Sequence, residues 1–193
     1  MTEGHVAPDA LGIAWRLGAT LFFVFLNGFF VAAEFALVKV RETSIARRVR
    51  QGHKRAHVVQ HILDHLDHYL SACQLGITLA SLILGALGEP AVSVLLVVTA
   101  QGLGLPVDAG EGWVPVVSIG LAFAVITVLH MTVGEQAPKI WALRRAETTA
   151  IATAPWLRAF AWVLGPFISI INRISNWLLR MAGLPADLRM RPV

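Results

Sequence analysis

The chain alternates between long apolar runs and short basic intervals. Residues 17–38 make the first run, in which only Asn27 and Glu34 are strongly polar. About twenty such residues let a helix cross a hydrocarbon core. Lys39, Arg41, Arg47, Arg48, Arg50, Lys54 and Arg55 follow, and the pattern predicts a polar helix over 43–67. A second span is expected over 70–87. Gly88-Glu89-Pro90 then interrupts the run, and 91–100 is too short to cross. That stretch either continues the helix past a kink or lies at the outer surface. The loop 101–113 carries Gly, Pro, Asp108 and Glu111 but no Lys or Arg, and the third span is expected over 114–135, followed by Lys139, Arg144 and Arg145. Three crossings place both basic clusters on one side. By the positive-inside rule that side is cytoplasmic and the N-terminus faces out.

A fourth apolar segment, 154–181, contains Arg158, Arg173 and Arg180 and is broken by Pro155, Gly165 and Pro166. It reads as one or two amphipathic helices on the inner face, arginine heads towards water and phosphate; a fourth crossing is the alternative. Trp156, Trp162 and Trp177 suit that interface. The expected fold class is an all-α membrane protein of one domain, residues 1–183. Three transmembrane helices carry juxtamembrane helices over about 43–67 and 154–181, and 184–193 form a tail or linker.

Composition agrees with this pattern. The 193 residues are 56% hydrophobic and 15% charged, against about 25% charged in an average soluble domain, and the mean hydropathy is +0.66. A multi-pass protein of the inner or plasma membrane is implied, with the lipid bilayer as its first partner. The net charge is +4 and the pI about 10.0. In a soluble protein that would raise nucleic acid as a partner. Here the basic residues sit at the ends of apolar runs, so no nucleic acid is expected. The single cysteine, Cys73, excludes an internal disulfide, a redox pair and a Cys-based metal site. The first run lacks a basic region before it and a small-residue cleavage site after it, so it reads as a retained span. An enzyme is not expected: Glu34, Glu135 and the serines lie on helix stripes without Ser-His spacing or a water-activating metal cluster.

Polar residues inside apolar helices are the candidate chemistry. A carboxylate within a span costs about 2.5–3.5 kcal/mol on insertion scales, and so marks a partner or a function. Asn27, Val31, Glu34 and Val38 share one stripe by the three-and-four rule. In the second span Ser71, Gln74, Thr78 and Ser81 step by three, four and three towards Gly85. Plain helix packing explains such a stripe equally well. The third span ends in "HMTVGEQAPK", residues 130–139. Pro138 has no N–H, so within a helix the carbonyl of Gly134 loses its partner beside the carboxylate of Glu135. A hard cation takes such oxygens, and broken helices line ion sites in transporters. The local alternative ends the helix at Pro138 and pairs Glu135 with Lys139. Oxygen-rich positions on three spans favour the cation site. His53, His57, His61, His65 and His68 form a further stripe, with Asp64 and Asp67 beside it. A pH or transition-metal sensor is conceivable, but the stripe reads better as the wet face of an amphipathic helix, because nothing supplies a dry site.

The stretches "NGFFVAAEFALVKVR", "LSACQLGITLASLILGALGEPAV" and "VGEQAPKIWALR" resemble the transmembrane domain of the CNNM/CorC magnesium transporters, the hemolysin-like proteins of older usage. The likeness spans about 17–183, with the blocks in family order. It implies a homodimer of three-span protomers with the N-terminus outside. One dehydrated Mg2+ would bind between the spans of each protomer, for export with coupling to Na+. It also implies that Glu135 is the acidic ligand, and that Gly134 and the Gly76–Thr78 turn supply backbone and second-span oxygens. Two positions depart from the family pattern: Val31 stands where many members have Ser, and Ile77 and Thr78 where many have consecutive asparagines. Gln74, Thr78, Ser71, Ser81 or Asn27 would then supply the missing oxygens. Glu34 is a second acid, for a coupling ion or for the inward mouth. The family usually continues into cytoplasmic CBS modules, which are partners here if the chain is truncated. The competing expectation is a membrane anchor and dimerisation domain without transport of its own.

Overall fold

The computed structural model describes residues 10–104 and 114–183. Its helices are α1 (Ala10–Lys39), α2 (Glu42–Arg50), α3 (Lys54–Asp64), α4 (Leu66–Gly102), α5 (Val114–Leu129), a π-helical segment (His130–Gln136), α6 (Ala137–Arg144), α7 (Ala146–Val163) and α8 (Gly165–Met181). Three stretches are long and apolar enough to cross a membrane: Leu11–Lys39, Leu66–Gly102 and Val116–Arg144. The expected all-α class with three transmembrane helices and amphipathic helices beside them is what the chain adopts. The proposed tail, 184–193, and most of the loop 101–113 lie outside the described residues.

Several boundaries differ from those read off the sequence, each for a local reason. The polar helix over 43–67 is two helices. Gly52 turns the chain between them with φ +79°, a backbone that side-chain-bearing residues rarely adopt. A second break falls at His65, φ −130° and ψ 40°, before α4 begins. Gly88-Glu89-Pro90 does not interrupt α4, which runs for 37 residues with Pro90 inside it. At about 1.5 Å per residue it is roughly 55 Å long, well beyond a hydrocarbon core. The stretch 91–100 is therefore a helical continuation of the second span. The third span also passes its proline: α5, the π-helical segment and α6 follow one another without a turn. Residues 154–181 belong to two helices that meet at Leu164 with a bend of 78°.

Packing divides the bundle into two apolar clusters. The larger joins α1, α2, α3, α4, α6, α7 and α8 through Phe30, Leu37, Ile45, Ile62, Cys73, Leu157 and Ile168, among others. It lies at the end where α1 and α6 finish and both basic clusters gather. Alanines dominate the buried faces of α6 and α7, Ala142, Ala150, Ala154 and Ala161, and small residues let helices approach closely. On the polar side of the same end, Glu147 of α7 accepts hydrogen bonds from Ser44 and from Arg48 Nε of α2, the latter at 2.6 Å. The smaller cluster, Val24, Leu84 and Ile126, joins α1, α4 and α5 nearer the other end. Glycines set two of the contacts. A Cβ on Gly76 would lie 2.6 Å from the Phe30 ring, and one on Gly88 would meet Ile126 Cδ1 at 2.7 Å.

Candidate functional site: a polar layer inside the bundle

Between the two apolar clusters lies a thin polar layer. Asn27 is 1% exposed. Its Nδ2 donates to the carbonyl oxygen of Gly134 at 2.9 Å. The Ser81 hydroxyl of α4 donates to Asn27 Oδ1 at 3.2 Å and lies 3.3 Å from His130 Nε2. These contacts order the protons. The Gly134 carbonyl can only accept, so it faces the NH2 group of Asn27. Asn27 Oδ1 then accepts from Ser81, whose remaining lone pairs accept from His130 if Nε2 carries the proton. The chain runs His130 to Ser81 to Asn27 to Gly134, and each bond polarises the next.

The π-helical segment presents this carbonyl. Ala137 N–H bonds to Thr132 O, five residues back, where an α-helix would reach four back. Pro138 cannot donate, and in an α-helix its ring would press on the carbonyl of Gly134. Widening the turn relieves that contact, and Asn27 of α1 donates to the Gly134 carbonyl across the helix interface. The close approach of α1 needs Gly28: a Cβ there would lie 2.9 Å from Pro138 Cγ, 3.4 Å from Val133 O and 3.6 Å from Gly134 O. Gly134 is equally constrained, since a Cβ on it would meet His130 Cδ2 at 2.9 Å. Single π-turns of this kind recur at functional sites.

The residues singled out from the sequence divide into those in this layer and those outside it. Asn27, Gly134 and Pro138 meet in it. Glu135, the next residue along, is half-buried and, among the described residues, has no hydrogen bond or ion pair. The local alternative of a Glu135–Lys139 pair is not formed: Lys139 Nζ sits 4.6 Å from the centre of the Phe35 ring. Glu34 is also half-buried and without an ion pair among the described residues, where Arg48–Glu147 is the only one. It lies two turns along α1 from Asn27, about 10 Å at helical rise, so the two acids belong to different levels of the bundle. Thr78 is exposed and donates to Gln74 O of its own helix at 2.8 Å. Gln74 is exposed as well. Ser71 bonds to Asp67 O and to Asn172 of α8. Gly76 is covered by the Phe30 ring. Val31 is 2% exposed, and Ile77 packs beside the larger cluster. The histidine stripe stays wet. His53, His57, His61 and His65 are exposed, the rings of His61 and His65 are 4.7 Å apart, and His68 stacks edge-on to Tyr69.

His130 was missed by the sequence reading. Its signal was its place four residues before Gly134, on the same helical face. Among the described residues no three His, Cys, Asp or Glu side chains converge as a metal site. What the layer offers a cation is neutral oxygens with a single carboxylate next to them.

Comparison with known proteins fits this architecture. The sequence profile of the family described as the Cyclin M transmembrane N-terminal domain, CNNM, matches residues 18–191. UPF0053 protein YhdT of Bacillus subtilis is 45% identical over 159 residues, 82% of this chain and 34% of its own length. UPF0053 protein YhdP of the same organism is 40% identical, over 82% of this chain and 35% of its own length. The uncharacterized protein MT1889 of Mycobacterium tuberculosis is 35% identical over 83% of this chain and 45% of its own length. The chain thus spans a third to a half of the length of these relatives. With a family profile covering most of its residues, the chain belongs to the CNNM family through this transmembrane domain.

Proposed function

We propose that this domain carries Mg2+ across the membrane through the polar layer, exporting it with Na+ influx as the coupled step. The observation that carries the reading is the Gly134 carbonyl. It lies in a π-turn four residues before a proline, a fully buried Asn27 donates to it at 2.9 Å, and the carboxylate of Glu135, without a hydrogen bond or ion pair among the described residues, follows. Mg2+ takes near-octahedral oxygen and keeps several waters, so one carboxylate with a few neutral oxygens suits it. Asn27 Oδ1, Ser81 Oγ and Gly134 O each keep a lone pair after the bonds described above. Glu135 supplies the charge. Glu34, nearer the basic end, is the place for a coupling ion. In this reading the basic end is cytoplasmic, two copies work as a homodimer, and CBS modules of a longer chain regulate them.

A second reading has a specific observation behind it. Thr78, Gln74 and Ser71 do not face the layer, which leaves few oxygens for an ion. A membrane anchor and dimerisation domain needs none. Thermal stability of the purified protein in detergent, titrated with Mg2+, Ca2+, Mn2+ and Na+, separates the two. A ligand that binds only the folded state raises stability by about 2.7 kcal/mol at a hundred times its Kd. The transport reading expects a rise with Mg2+ that Glu135→Gln abolishes, followed by Mg2+ flux in liposomes. A folded protein indifferent to every cation would establish the anchor reading.

A further inference from the structure

We propose that the polar face of α8 is a discrete site for the phosphate of an anionic lipid headgroup. Ser169, Asn172, Arg173, Asn176, Trp177 and Arg180 line an open groove of about 500 Å³. They recur at three- and four-residue steps and so share one side of the helix. The groove contains no acid. Arg173 and Arg180 have no ion pair or hydrogen bond among the described residues. The Asn172 amide lies 2.9 Å from Ser71 Oγ of α4, which tethers it at the groove. The Ser169 hydroxyl is turned to Gly165 O of its own helix. The groove therefore offers two guanidinium forks beside tethered and free amides, with no acid among its lining residues to repel an anion. Arginine forks match phosphate oxygens in pairs.

The rest of α8 identifies the source of the phosphate. Phe167, Ile170, Ile174, Leu178 and Met181 are all more than half exposed and lie away from the groove. A helix with such an apolar side lies in the membrane interface, at headgroup depth, and Trp177 at the groove's edge favours the same depth. The hydrogen bond to Ser71 ties the groove to the start of α4, at the basic end of the bundle. A phosphodiester bound there joins α8 to the second span through Asn172. The site is independent of the proposed Mg2+ pathway, since it shares no residue with the polar layer.

The test is binding of short-chain phosphatidylglycerol to the detergent-purified chain at about 0.15 M salt, where long-range surface attraction is screened. Native mass spectrometry would count retained lipid on the wild type, on Arg173→Gln/Arg180→Gln and on Arg41→Gln/Arg50→Gln. The third protein loses the same charge from exposed residues outside the groove. Expected is one saturable lipid per protomer, weakened at least about tenfold in the groove variant and less than about twofold in the charge-matched control. Phosphatidylcholine should not compete, and neither should inorganic phosphate or glycerol phosphate at the same concentration. Equal weakening of both variants would overturn the site in favour of general surface charge. Competition by the free phosphates would overturn the lipid as its occupant. Arg173→Lys/Arg180→Lys keeps the charge and guards against misfolding: partial binding is expected, and full wild-type binding would refute recognition by the forks.

Discussion

Replacing Asn27 by Ala should be costly, and replacing Pro138 by Ala should reduce that cost. Asn27 makes one buried contact, to Gly134 O at 2.9 Å, and one part-buried contact, from Ser81 at 3.2 Å. Interhelical hydrogen bonds in membrane proteins average about 0.6 kcal/mol and reach about 1.7. Alanine would also remove the side-chain donor from a buried carbonyl whose α-helical partner position is Pro138, and an unsatisfied buried group costs about 1–3 kcal/mol. The sum is about 2–4 kcal/mol. In Pro138→Ala a new N–H at 138 can bond to the carbonyl of Gly134 if the π-turn closes to α. That carbonyl then no longer depends on Asn27, and Asn27→Ala should cost about 1 kcal/mol less than in the wild type. Unfolding of the four proteins by SDS in mixed micelles measures the cycle. Residues sharing a network couple, and independent ones add within about 0.5 kcal/mol. Additive costs, or a loss below about 0.5 kcal/mol for Asn27→Ala alone, would refute the view that Asn27 holds the widened turn.

Two further outcomes follow from the packing and the charges. Gly76→Ala should destabilise by about 1–3 kcal/mol, because its Cβ meets a Phe30 ring that Phe160 confines at 4.6 Å. Gly85→Ala, with nothing within 4 Å, should be neutral or slightly stabilising; equal melting temperatures for the two would sink this account of the α1–α4 contact. The Ser44 and Arg48 hydrogen bonds hold the Glu147 carboxyl below its usual value of 4.5. A depressed carboxylate contributes stability above its unfolded pKa and loses it as pH falls through the folded one. The melting temperature should therefore drop below about pH 4.5 in the wild type, and by less in Glu147→Gln; identical acid profiles would show that the α2–α7 contact contributes nothing.

How much of the fold could be read in advance depended on which physical signal was in play. Span number and the placing of both basic clusters at one end follow from hydropathy and charge, which act over twenty residues at a time. The breaks were harder. Gly-Glu-Pro left both a kinked continuation and a surface segment open, and α4 continues through it, with Gly88 tight against Ile126 and Thr20. Tertiary contact outweighed the local helix-breaking preference there. At Gly52 the reverse happened: one left-handed residue divided a helix that composition alone would continue.

The candidate site shows the same limit at finer scale. The stripe Ser71, Gln74, Thr78 and Ser81 was drawn by three-and-four spacing, which confines residues to a broad arc. The arc's position relative to the neighbouring helices is set by packing. Cys73, Gly76, Ala80 and Leu84 fix the buried side of α4, and this leaves Ser81 at its inner edge while Gln74 and Thr78 fall outside. On α1 the same spacing puts Asn27 on the buried side, with Val24 and Val31 buried on either side of it. Gly134 was readable through chemistry instead of spacing: in an α-helix a proline four residues on cannot donate to its carbonyl. His130 carries no comparable signal, because the oxygens of the third span alone account for a cation site. Asn27 Oδ1 takes the Ser81 proton, so the Ser81 oxygen is left as an acceptor, and His130 Nε2 at 3.3 Å is the group placed to donate to it. Asking where each buried acceptor finds its proton would have led one turn back from Gly134 to the imidazole.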